Sequence, residues 1–138
     1  MSDKEQKAQE MYMEYQALDQ RIKQLQKQLE LITQQIMEAT STSQSIEEFR
    51  NAKAGSEIFV PLTSGIFAKA TLKGTSELLV NVGAGTVVAK DISSAKKLIV
   101  SQIDEMQKVQ KRMADELEKM MGHAGQLEMQ LQKMVSDQ

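Results

Sequence analysis

Two stretches of this chain set an apolar side chain at strictly alternating steps of four and three, and that spacing admits few folds. The first runs through Met11, Tyr15, Leu18, Ile22, Leu25, Leu29, Ile32, Ile36 and Ala39. The second runs through Ile99, Ile103, Met106, Gln110, Met113, Leu117, Met120, Ala124, Leu127, Leu131 and Met134. Each is the seam of a coiled coil: a helix with one narrow apolar stripe that must meet another stripe. Residues between, such as Lys23, Gln24, Lys27 and Glu30, keep the outer faces wet and favour helix. The one polar seam position, Gln110, predicts a residue that sets register or partner choice at some cost in stability.

Five of the seven glycines and the only proline, Pro61, lie between the two arms, from Gly55 to Gly85. There, residues 57–62 and 66–72 read as strands joined by Thr63, Ser64 and Gly65. Residues 77–82 and 86–90 read as a second pair joined by Gly83, Ala84 and Gly85. Asp91 supplies a turn, and Ser93 or Ser94 caps the helix that follows. The expected order over residues 1–138 is therefore a helical arm at about 5–54, two β-hairpins at about 57–91 and a helical arm at about 94–136. The polar run Thr40–Ser45 weakens the first arm, and Ser45 with Glu48 resembles a capping box, yet without Gly or Pro before Gly55 the helix is expected to continue.

This order defines an α+β fold: a long antiparallel coiled-coil hairpin carrying two β-hairpins between its helices. Arms of this length extend roughly 65–70 Å at the helical rise. Antiparallel pairing sets Met11 and Met13 near Val135 and Met134, and Tyr15 near Lys133. Four short strands cannot enclose a core of their own, and their open edges recruit other strands. Companion chains are expected to complete a shared β-barrel platform through Ile58, Val60, Leu62, Ile66, Leu72, Leu78, Val80, Val82 and Val87.

All ten methionines lie outside the Gly55–Asp91 segment. With antiparallel arms Met1, Met11, Met13, Met129 and Met134 gather near the two termini, together with Tyr12, Tyr15, Leu127, Leu131 and Val135. Tyr12, Met13, Met121, Met129 and Val135 fall off the seam, and methionine adapts to many partner shapes. The surface expected to capture other polypeptides therefore comprises Met11, Tyr12, Met13, Met121, Leu127, Met129, Leu131, Met134 and Val135, with Met1 beside them.

Composition removes other classes of function. A net charge of −2 offers no general attraction for nucleic acid or anionic lipid. No cysteine and a single histidine, His123, leave no thiol chemistry and no ligand cluster for a metal. Gly83-Ala84-Gly85 imitates the start of a dinucleotide fingerprint but has Val88 where the third glycine belongs, so a hairpin turn explains it better. His123 reads as a surface residue without acid/base partners. No enzyme activity, cofactor, nucleic acid or membrane contact is expected, and without a spanning or secretory segment the expected location is the cytoplasm.

The central string EIFVPLTSGIFAKATLKGTSELLVNVGAGTVVAKD, residues 57–91, between long heptad arms, resembles the paired hairpins of the prefoldin family in its alpha-type, two-hairpin, archaeal-type class. VPL at Val60–Leu62 and VGAGTVV at Val82–Val88 carry the resemblance. The resemblance implies an ATP-independent holdase in which two alpha-type and four beta-type subunits form a hexamer on a double β-barrel platform. It further implies that the coiled-coil tips hold non-native polypeptides and pass them to a group II chaperonin. The competing expectation is a scaffold or filament subunit whose arms only space or tether other proteins.

Overall fold

The computed structural model describes residues 2–136, so Met1, counted above with the terminal surface, lies outside the described residues. The elements are α1 (Asp3–Asn51), β1 (Glu57–Thr63), β2 (Ile66–Thr71), β3 (Glu77–Gly83), β4 (Thr86–Asp91) and α2 (Ile92–Ser136). Two long helices thus flank two small antiparallel hairpins. The chain forms two compact units: a coil unit that joins the residues up to Gln35 with those from Met106 onward, and a hairpin unit over Ile36–Glu105.

In the coil unit every expected seam position is at least half-buried, and Ile22, Leu25, Ile32 and Leu127 are buried. Burying such a side chain contributes about 1.5–3 kcal/mol, whereas an exposed pair such as Asp19–Lys23, 3.1 Å apart, contributes about 0–1 kcal/mol. The seam therefore holds this unit together. Gln110, the polar seam residue, donates from Nε2 to Thr33 Oγ1 at 3.0 Å, and the Thr33 hydroxyl donates in turn to the Leu29 carbonyl at 2.8 Å. An off-register pairing would leave the half-buried amide without that partner, which is how a polar seam residue selects alignment. At the start of α1, Ser2 Oγ accepts from the Glu5 amide at 3.2 Å, so the helix begins at Asp3, two residues before the expected boundary.

The hairpin unit contains the remaining part of both helices, the end of α1 from Ile36 and the start of α2 to Glu105. Thr40 and Thr42 donate to the carbonyls four residues back, at 2.8 and 2.9 Å, and α1 passes through the polar run without a break. The helix stops at Asn51 rather than near 54. Gly55 adopts a left-handed φ of 88°, its amide donates to Leu72 O at 2.7 Å, and Leu72 donates back to Ser56 O at 2.8 Å. Extension of the first hairpin thus draws these residues out of the helix. At the other end, Asp91 Oδ1 accepts from the Ser94 amide at 2.7 Å, making Asp91 the cap and Ile92 the first helical residue; Ser93 and Ser94 are not the cap. The adjoining helix segments bury Ile46, Ile92 and Ala95, the last only 2% exposed.

Candidate functional site

The two hairpins form separate two-stranded sheets, β1 with β2 and β3 with β4. In the first, Ile58 pairs with Ala70 and Val60 with Ala68, while Phe59 pairs with Lys69 and Pro61 with Phe67. Because alternate residues face opposite sides, Ile58, Val60, Leu62 and Ile66 share one face and Phe59 and Phe67 the other. In the second, Val80 pairs with Val88 and Leu79 with Ala89. Leu78, Val80 and Val82 therefore share a face with Val88, whereas Val87 lies on the opposite face with Leu79.

The expected platform set is thus coherent except for Val87, and it omits Phe59, Phe67, Leu79 and Val88. All four are exposed, Phe59 by 62% and Leu79 by 76%. Strand periodicity was the available signal for them, since both faces of each hairpin carry apolar residues. Leu72, Leu78 and Val80 are half-buried, and the remainder of the set is exposed.

The turns differ in kind. Ala84 and Gly85 have φ of 52° and 71°, the sign pattern of a type I′ hairpin turn, and Asn81 Oδ1 secures it by accepting from the Gly83 amide at 2.9 Å. This geometry makes Gly83-Ala84-Gly85 a strand reversal.

The terminal end of the coil unit carries two apolar grooves. One, about 470 Å³, is lined by Tyr12, Tyr15, Leu131 and Val135 with Glu128, Gln132 and Ser136. The other, about 380 Å³, is lined by Met11 and Met134 with Lys7, Gln130 and Lys133. Of the expected capture residues, Tyr12, Met13, Met121, Met129 and Val135 are exposed, Met129 by 72%. Met11, Leu131 and Met134 are half-buried groove residues. Leu127 is only 6% exposed; it belongs to the seam and offers no surface. The grooves line Met11 with Met134, as expected, and Tyr15 with Leu131 rather than with Lys133.

Polar groups in the two units join helices rather than assemble a reactive centre. Glu47 Oε1 accepts a hydrogen bond from Lys96 Nζ and lies 3.3 Å from Arg50, whose other guanidinium nitrogen is 3.5 Å from Ser93 Oγ. The hydrogen bond from Lys96 holds the Glu47 carboxyl below its ordinary range, with the Arg50 charge adding to it. Donations from the Ser94 hydroxyl and amide do the same for Asp91. His123, expected to stand without a partner, lies 3.0 Å from Glu14 Oε1 on the facing helix. Among the described residues no group of three or more His, Cys, Asp or Glu is placed to hold a metal, and no helix is long and apolar enough to cross a membrane.

A family model described as prefoldin subunit matches residues 18–137, which includes both hairpins and most of each helix. The chain belongs to the prefoldin family. Its curated relatives include prefoldin subunit alpha of Methanobrevibacter smithii, 32% identical over 75% of this chain and 65% of that protein, so the match spans just under two thirds of the relative's length. Prefoldin subunit alpha of Thermofilum pendens is 25% identical over 83% of this chain and 89% of the relative. Among solved structures, filamentous PFD from Methanocaldococcus jannaschii superposes with a TM-score of 0.73 at 14% identity, covering 82% of this chain and 93% of that one, and so supports the fold. Membership in the prefoldin family makes the chain a chaperone subunit with coiled-coil helices; its alpha-subunit relatives are chaperone subunits, not known enzymes.

Proposed function

We propose that the chain is the alpha-type subunit of an ATP-independent holdase, capturing non-native polypeptides at the terminal end of its coil and delivering them to a group II chaperonin. The observation that carries the reading is the cluster of exposed Tyr12, Met13, Met129 and Val135 beside two apolar grooves, where a soluble two-helix coil has no need of apolar surface. Each contact buries little area, and several coils on one scaffold raise the effective concentration of the rest. Binding therefore needs no nucleotide, and release follows from competition by another surface. The unpaired strand edges and apolar hairpin faces support assembly with beta-type subunits, two alpha to four beta, in the cytoplasm.

The test is light scattering of an aggregating client with the assembled complex, before and after replacing Met11, Met13, Met129 and Met134 by Ser. Loss of suppression is expected. Unchanged suppression removes these positions from the site and favours the scaffold alternative, in which the arms only space or tether other proteins.

A further inference from the structure

The two terminal grooves differ in charge as well as shape. The methionine groove is rimmed by Lys7 and Lys133, with Gln130 between. Lys4 lies one heptad before Met11 on the same stripe and is exposed. The lining of this groove holds no carboxylate, and Glu14, three residues beyond Met11, lies 3.0 Å from His123. Lys133 sits in the last turn of α2, where the helix dipole favours a cation, but Lys4 and Lys7 sit near the start of α1, where it favours carboxylates. Helix electrostatics therefore do not explain the cations beside Met11.

The tyrosine groove has the opposite rim. Its only charged lining residue is Glu128, and Glu5 lies one heptad before Tyr12. Tyr12 lines this groove and accepts at its hydroxyl from Gln16 Nε2 at 3.1 Å.

We infer that the two grooves sort bound polypeptide by the charge beside its apolar residues: the methionine groove takes apolar segments flanked by acidic residues, and the tyrosine groove takes those flanked by basic residues. This rests on the holding function proposed above and names the segment chemistry for each groove. Charge complementarity carries it: an apolar floor attracts any hydrophobic segment, while the rim selects among them.

The test uses the assembled complex and two fluorescent peptides with one apolar core, one flanked by Asp pairs and the other by Lys pairs, in anisotropy titrations at low and high salt. Lys7→Glu combined with Lys133→Gln is expected to weaken the acidic peptide about five-fold and to leave the basic one unweakened. Glu128→Lys is expected to weaken the basic peptide alone, and high salt to shrink both differences. Circular dichroism of the variants checks that the helices are intact. Equal weakening of both peptides, or none, overturns the sorting while leaving the holding function in place. Binding of neither peptide by the parent complex overturns the sorting, and if client aggregation is also unsuppressed, the holding function falls with it.

Discussion

The coil unit and the hairpin unit both rely on apolar side chains, yet the strands of the hairpin unit, unlike the helices, leave most of theirs exposed. Ile22, Leu25 and Leu127 are covered because the second helix brings back a stripe of matching period. Phe59, Leu79 and Val88 are left exposed on two-stranded sheets, each of which has two faces to cover. Hydrophobicity is therefore similar in the two regions, and topology decides where it is satisfied. A two-stranded hairpin is at best marginally stable alone, so the second region needs other chains where the first does not.

The sharpest way to break this contrast is a charge on the hairpin face. Val80→Asp, opposite Val88, is expected to abolish assembly outright, seen as loss of the complex in native mass spectrometry, while circular dichroism of the helices persists. Persistence of the full complex would show that this face is not what companions cover. In the coil, Leu127→Ala is expected to cost about 2–5 kcal/mol, read as a lower thermal midpoint with assembly retained. A loss of assembly instead would mean that the two regions are not separable.

A smaller effect concerns acid. Glu47 and Asp91 both titrate below their ordinary values when folded, so each contributes stability at neutral pH that disappears as the pH falls through the folded value. The hairpin unit should therefore weaken as the pH drops below about 4.5, the ordinary value for Glu47. Asp91→Asn keeps a capping oxygen but removes the charge, and should flatten the acid limb of a stability-against-pH curve; an unaltered limb would assign acid lability elsewhere. The smallest expected change is Ala84→Gly. A left-handed alanine is strained by about 1–2 kcal/mol, partly offset by the greater freedom glycine has when unfolded, so a gain of a few tenths to about 1 kcal/mol in the second hairpin is predicted from denaturant melts.

Much of the architecture was legible because it rests on period. The residues named by the alternating four and three steps in the coil unit are all at least half-buried, though the buried Ile46, Ile92 and Ala95 of the other unit lay outside those runs, and the glycine-rich joints placed all four strands to within a residue. Helix ends were less legible: Asp91 rather than Ser93 or Ser94 caps α2, since three adjacent residues can all cap and only backbone geometry selects one. Thr33 was invisible as the partner of Gln110, because it lies beside the seam and the cross-helix register was not yet known. The same uncertainty hid Glu14 from His123 and assigned Leu127 to the surface. Which face each platform residue occupies needed the pairing itself: Val87 stands opposite Asn81, on the other face from Val80 and Val88.

The central claim, that the hairpins require strands from other chains, is met most directly by hydrogen exchange at β1 to β4 combined with native mass spectrometry, on the chain alone and with a beta-type subunit. The account predicts fast exchange of the strand amides wherever the chain is monomeric, and strong protection only in the mass-resolved complex. A monomer whose strand amides are already protected would contradict it.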